Sequence, residues 1–381
     1  MWTEAHKSGK VNFVERYRDP YTNGWKRTYV LMEKDTPRIR KEAQKILDAK
    51  IADTLSKLKS SEMLFTNLFD QWWIFFYQQE IKRSSIASLR GNIRDIRESF
   101  GIDIKVVNID PKYVQDYLDN LDCSRNQKER NKSMLNLAFD YAVDLDIIKD
   151  NPSRRAKLPR IKKTLEDWKK VEEKYLEEDE IKPLLKELFR RPSTYRTALL
   201  AEFMSLNGCR IGEAVSLDPE NRDFETKILQ LHGTYDHTEG YRNGEKTDPK
   251  TLASYRETIM TTREMEIIQE LEFMNELEKN TNPRYRDMGY IFTTKNGVPI
   301  QTNSFNLALK RANERLEKPI QKNLTSHIFR HTLVSRLAEN KVPLKAIMDR
   351  VGHADAKTTI QIYTHVTKKM KSNVADIMEN Y

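Results

Sequence analysis

Residues 150–163, DNPSRRAKLPRIKK, constrain the fold of this chain more than any other stretch. Each proline removes a backbone donor and biases the residue before it toward extended backbone, so neither a long helix nor a central strand runs through the segment. Lys and Arg crowd around both prolines. The segment reads as a basic interdomain linker, dividing the 381 residues into parts long enough to bury cores of their own.

Upstream, the hydrophobic period changes once. Residues 1–60 open with the strand-like runs VNFVERYRD and WKRTYVLME, separated by PYTNG with its Asn-Gly turn signal. A shorter run before KSGK offers a third strand. TPRIRKEAQKILDAKIADTLSKLKS then reads as a helix, with Thr36 as N-cap and Pro37 at the first helical position. Arg16, Arg18, Lys26 and Arg27 interleave with Tyr17, Trp25 and Tyr29. That pattern suits a DNA surface, and equally the solvated charges of a small β-cap. Residues 64–160 read as all-helical. LFTNLFDQWWIFFYQQE carries an apolar face at helical spacing, SSIASLRGNIRDIRESFG closes on Gly101, and DPKYVQDYLDNL opens with Asp-Pro. SRNQKERNKSMLNLAFDYAVDLDII has a basic first half holding Arg125, Lys128, Arg130 and Lys132, suited to touching phosphates or, more blandly, a solvated face. Arg154 and Arg155 in the linker join this basic set.

From about residue 170 a larger α-rich part begins with YLEEDEIKPLLKELF. Strand-like KILQL and SYRETIMT fall within 224–262, and helices resume at 263. The expected fold is mainly α with small β-sheets (α+β), in three domains: 1–60, 61–162 and 163–381.

Charge narrows the function classes. Lys and Arg number 66 against 57 acidic residues, a net +9 that fits a polyanion partner. With 32% charged residues, no run approaches the ~20 apolar residues of a membrane helix. The N-terminus lacks an apolar signal core. Cys123 and Cys209 alone cannot build a disulfide scaffold or a CxxC metal site, and they fit a reducing cytoplasm.

The residues that could carry chemistry lie beyond 200. NGCRIGEAVSL places Arg210 and Glu213 three apart at a helix start, and PKTLASYRETIMT holds Lys250, with Lys246 as a rival. SHIFRHT sets His327 and Arg330 three apart, so an imidazole and a guanidinium share one helix face. VGHA contributes His353, and TTIQIYTHV presents Tyr363 between His353 and His365. His327 and His331 have zinc-pair spacing, but no third ligand follows convincingly, so no metal and no cofactor are expected.

The ordered set Arg210, Lys250, His327, Arg330, His353, Tyr363 resembles the tyrosine recombinase (phage integrase) family over essentially the whole chain, most strongly from about 175 to 370. The resemblance implies a site-specific recombinase in which Tyr363 is the nucleophile and forms a 3′-phosphotyrosine. In that reading Arg210 and Arg330 grip the phosphate, Lys250 protonates the leaving oxygen, His327 and His353 donate or move protons, and Glu213 supports. Residues 1–60 resemble the arm-binding domain of integrases of the lambda and conjugative-transposon type. Residues 64–160 resemble the core-binding domain. The implied partners are double-stranded DNA attachment sites of core and arm type and a tetramer of the chain itself, with an excisionase and a host DNA-bending protein as accessory factors. The implied location is a bacterial cytoplasm, on DNA. An Xer-like chromosome-dimer resolvase and a non-catalytic DNA-binding protein on the same fold remain the alternative readings.

Overall fold

The computed structural model describes every residue except 19–24, 62, 80, 101–103, 160–173, 249–254, 353–358, 361–377 and 380–381. The chain divides into two compact units, Met1–Ile161 and Lys162–Tyr381.

In the first unit, β1 (Trp2–Ala5), β2 (Val11–Arg18) and β3 (Trp25–Met32) form an antiparallel sheet in that order. Helix α1 (Pro37–Ser61) follows, with the Thr36 hydroxyl accepting from the Ile39 amide at 3.4 Å. Ala43 and Leu47 of α1 pack on Phe13, which is fully buried. Side chains alternate along a strand, so Phe13 fixes which face is covered. Arg16 pairs with Arg27, and Tyr17 with Lys26, across the β2–β3 ladder. Arg16, Arg18, Trp25, Arg27 and Tyr29 therefore share the open face, with the Arg16 guanidinium 4.7 Å from the Trp25 ring centre. Lys26 has the parity of Phe13 and belongs to the opposite face from Arg27, although the sequence reading grouped the two.

A separate hydrophobic cluster follows in the same unit. It is built by α2 (Phe65–Tyr77), α3 (Arg83–Ser99), α4 (Pro111–Asn120) and α5 (Arg125–Asp144). Asp110 caps α4 by accepting from the Tyr113 amide at 2.7 Å, and Ser124 caps α5. Phe65 and Phe100 meet with ring centres 4.4 Å apart, and Phe139 closes the same cluster. A buried amide pair, Asn92 to Asn131 at 2.7 Å, ties α3 to α5. Gly101, expected to close α3, lies outside the described residues, and α3 ends with Phe100 in a right-handed cap.

The linker begins later than the prolines suggest. Pro152, Ser153 and Ala156 are buried against the helical cluster. Asn151 bonds the Asn136 carbonyl and Asp140, and the Gln115 amide bonds both backbone groups of Lys157. The segment through Pro159 is thus a packed tail of the helical part. Pro152 serves to start a short 3-10 turn rather than to free the chain.

The second unit is centred on α7 (Tyr195–Asn207), whose Leu199, Leu200, Phe203 and Met204 are buried on every side. Around it lie α6 (Glu178–Phe189), the short α8 (Ile211–Ala214), α9 (Thr262–Thr281), α10 (Thr302–Asn313), α11 (His327–Glu339) and α12 (Leu344–Val351). One small sheet has the order β4 (Arg222–Asp223), β5 (Ile228–Leu231), β8 (Arg256–Ile259). The polar stretch between β5 and β8, read from sequence as loop, contains a two-stranded ladder, β6 (Thr234–Asp236) with β7 (Glu245–Thr247). Strands this short carry too little alternation to be seen in sequence. The chain is a mixed α and β fold rich in helix, as expected. Among the described residues no helix is long and apolar enough to cross a membrane.

Truncating a fully buried ring that meets several neighbours leaves a cavity costing about 3–5 kcal/mol. Phe100→Ala is therefore expected to lower stability by roughly that amount, read from urea unfolding of the full chain by circular dichroism. A loss below about 1 kcal/mol would contradict the packing of this cluster.

Candidate active site

Helix α7 ends at Gly208, which has φ +81°. A Cβ there would stand 2.7 Å from Leu333 Cδ2 and 3.0 Å from Val351 Cγ1, and this φ strains any L side chain, so glycine suits the place where α7, α11 and α12 meet. The turn puts two guanidiniums on adjoining backbone. Arg210 sits at the N-cap of α8, and Arg330, from the first turn of α11, donates to the Gly208 carbonyl at 2.8 Å.

Glu213 organises the arginines. It is 4% exposed. Its carboxylate accepts from the Arg210 amide at 2.9 Å, from Arg210 Nη1 at 2.6 Å and from Arg256 Nη2 at 2.8 Å. Burial alone would raise this carboxyl, but Arg256, by charge and hydrogen bond, and then Arg210 outweigh it and hold the group below the ordinary carboxylate range. It stays charged at neutral pH.

The cations press on one another. Burial, and after it the charge of Arg210, pulls Arg330 down to about 9, still protonated at pH 7. His327, the first residue of α11, is lowered by desolvation and then by Arg330 and Arg210, which favours the neutral imidazole. His331, one turn on, is pushed down to about 4, chiefly by burial and then by His327 and Arg330. Thr332 is structural: its hydroxyl accepts from the Leu176 amide at 2.9 Å and donates to the Ile328 carbonyl. The Cys209 thiol, fully buried beside Arg210, is raised to about 12 and is inert as a nucleophile.

The structure thus gathers Arg210, Glu213, His327 and Arg330 into one place. Lys250, His353 and Tyr363 lie outside the described residues. The rival lysine, Lys246 on β7, is held by Asp218 at 2.7 Å and Asn221 at 2.8 Å. Among the described residues no group of His, Cys, Asp and Glu could hold a metal ion.

Clustered arginines around one carboxylate, with neutral histidines beside them, form a site for an oxyanion. The sequence profile described as the phage integrase family matches residues 174–370, the stretch that contains this cluster. The chain belongs to the phage integrase family. It is 52% identical over 379 residues to the prophage ps2 probable integrase of Lactococcus lactis subsp. lactis strain IL1403, covering 99% of each chain. Its fold is similar to that of the Tn1549 transposon integrase solved with a circular intermediate DNA, at TM-score 0.65 and 17% identity, covering 82% of this chain and 99% of that one. It is also similar to a lambda integrase dimer bound to a COC′ core site, at TM-score 0.59 and 15% identity, covering 95% and 94%.

One feature of this integrase-family site escaped the sequence reading. Arg256, on β8, completes the grip on Glu213, and its Nε donates to the Arg350 carbonyl at 2.9 Å. The Arg350 side chain in turn donates to the Ile259 and Leu206 carbonyls and to Glu264. The available signal was parity: in a strand Arg256 falls on the same face as Thr258, which is buried. In the first unit, the expected DNA contacts are more committed than their charge suggests. Arg125 pairs with Glu129 and the Pro159 carbonyl, Lys128 caps the last carbonyls of α4, and Arg154 forks onto Asp140. Arg130 and Arg155 are exposed, and Lys132 is half-buried.

Gly208→Ala crowds Leu333 and Val351 at the turn whose carbonyl orients Arg330, and strain at this φ costs on the order of 1–3 kcal/mol. A lower unfolding temperature together with a cleavage rate cut at least about tenfold is expected; unchanged values would contradict the role of this turn. His331 supplies a pH test. Its folded pKa lies below the ordinary 6.5, so acid protonates the unfolded chain first. Stability present above 6.5 is lost as pH falls toward about 4. The unfolding temperature should drop across that window, and His331→Gln should flatten part of the drop.

Proposed function

We propose that this chain integrates a phage or other mobile DNA element and, with helper factors, excises it, cutting and rejoining DNA through a phosphotyrosine at Tyr363. Site-specific recombination is the activity of the family to which the chain belongs. The observation that carries the mechanism is the Arg210–Glu213–Arg330 cluster beside His327.

A DNA phosphodiester is anionic, and attack on it piles further negative charge onto the non-bridging oxygens. Preorganised donors in a partly desolvated site stabilise that charge without reorganisation. Arg210, 39% exposed in its side chain, can reach a phosphate while Glu213 fixes its plane. Arg330 remains charged although buried, anchored by the Gly208 carbonyl. In this reading the Tyr363 hydroxyl oxygen attacks phosphorus and the bond to the 5′-oxygen breaks. Lys250 gives that oxygen a proton, leaving a 3′-phosphotyrosine and a free 5′-hydroxyl. A free phenol has a pKa of about 10, so its proton must be taken up, and His353 or His327, whose lowered pKa favours the neutral ring, suits that step. The covalent link keeps the phosphodiester energy, so another 5′-hydroxyl reverses the reaction and joins new strands.

The remaining expectations extend the same reading. The open face of the β1–β3 sheet, with Arg16, Arg18, Arg27, Trp25 and Tyr29, supports an arm-site role for residues 1–60. Residues 61–162 would hold core-site DNA, with Arg130, Lys132 and Arg155 the better candidates for contact, and 163–381 would cut. Tetramer assembly, an excisionase, a bending protein and a bacterial cytoplasmic setting belong to this proposal.

The test is a covalent trap. Full-length protein is incubated with nicked attachment-site DNA in EDTA without ATP, then denatured. A protein–DNA band in wild type and none in Tyr363→Phe is expected; a band in both would move the nucleophile elsewhere. Binding to the same DNA should fall steeply with salt, because phosphate neutralisation dominates affinity.

A further inference from the structure

Arg256 lies outside the set that would touch DNA: its side chain is 6% exposed. Its hydrogen bonds nevertheless close a ring. From the Gly352 carbonyl the ring passes to Arg210 Nη2 at 3.5 Å, through Arg210 Nη1 to Glu213 Oε1 at 2.6 Å, and from Glu213 Oε2 to Arg256 Nη2 at 2.8 Å. Arg256 Nε then returns to the Arg350 carbonyl at 2.9 Å. The ring begins and ends on the C-terminal end of α12, whose carbonyls have no helical partner of their own. Gly352, which ends α12 with φ 68°, directly precedes His353 in sequence.

We propose that Arg256 is a positioning residue for recombination, its guanidinium holding Glu213 with one nitrogen and the Arg350 carbonyl with another so that Arg210 and the end of α12 keep one register. The inference rests on the recombinase reading of the site. A planar fork is what the position requires. Two acceptors of different chemistry, a carboxylate and a backbone carbonyl, are served by two nitrogens whose spacing is rigid, which a lysine's single ammonium cannot reproduce. The carbonyl it grips is itself anchored, because the Arg350 side chain donates to Leu206 and Ile259 at 3.1 and 2.9 Å and to Glu264 at 3.3 Å. Strand β8 also follows, after a few residues, the segment that carries Lys250. Loss of Arg256 would leave Glu213 buried with only Arg210 and would free Arg210 to turn, while leaving DNA-facing groups in place.

The experiment compares Arg256→Gln and Arg256→Lys with wild type in the full chain by three readouts: DNA affinity, single-turnover formation of the covalent adduct, and hydrogen exchange over residues 344–352. Misplacement of a reacting group by about 1 Å costs roughly 100-fold. Arg256→Gln should lose about that much in adduct formation, with affinity within about threefold of wild type and faster exchange at the end of α12. Arg256→Lys, which keeps the charge but not the fork, should recover about tenfold of the loss. Should Arg256→Gln fail to fold, Arg256→Lys carries the test, with slower adduct formation and faster exchange than wild type expected. Unchanged adduct formation in a folded variant, or unchanged exchange over 344–352, overturns the proposal. Absence of any adduct in wild type would instead sink the recombinase reading, and exchange alone would then decide whether Arg256 holds α12.

Discussion

The buried carboxylate of Glu213 is the interaction on which the second unit's site depends. A charge removed from water must be paired and hydrogen-bonded, and here the pairing is supplied by the Arg210 and Arg256 guanidiniums and the Arg210 amide. With Arg330 close by, one carboxylate faces several guanidiniums. Burial first, and after it the neighbouring guanidiniums, lowers both Arg330 and His327. A protein does not concentrate unbalanced cations in a desolvated place for stability's sake. In the proposed function the anion that completes the arrangement is a phosphodiester, whose two non-bridging oxygens a guanidinium fork fits.

The scaffold makes this arrangement rigid. Each contributing side chain leaves the end of a helix or a strand: Arg210 after the Gly208 turn, Arg330 from the first turn of α11, Arg256 from the start of β8. The close meeting of α7, α11 and α12 at Gly208 fixes their relative placement through buried Leu333 and Val351. Precision of that kind is more easily held on regular elements than on loops.

Much of this was legible in sequence because the signals were local. Period-2 runs gave β2 and β3, helical spacing of apolar residues gave α2 and α3, and Thr36 and Asp110 marked helix starts that the structure caps in those places. The spacing of Arg210 to Glu213 and of His327 to Arg330 placed each pair together, since three residues close one helical turn. What sequence did not yield depends on distant chain segments. Arg256 meets Glu213 across 43 residues and Arg350 across 94. Charge alone could not reveal that Arg125, Lys128 and Arg154 already serve carboxylates and carbonyls, nor that the proline-rich basic stretch would pack on the helices as far as Pro159.

In the proposed function the arginines work by neutralising charge on the phosphate. The direct measurement compares wild type with Arg210→Ala on two nicked substrates, one with an ordinary scissile phosphate and one with an uncharged methylphosphonate at that position. Removing one such donor typically costs about 100- to 1,000-fold. Charge neutralisation predicts that loss on the phosphate and a much smaller one, within about tenfold, on the methylphosphonate. An equal loss on both substrates would mean that Arg210 serves the fold or the DNA grip, and the charge-based mechanism would be wrong.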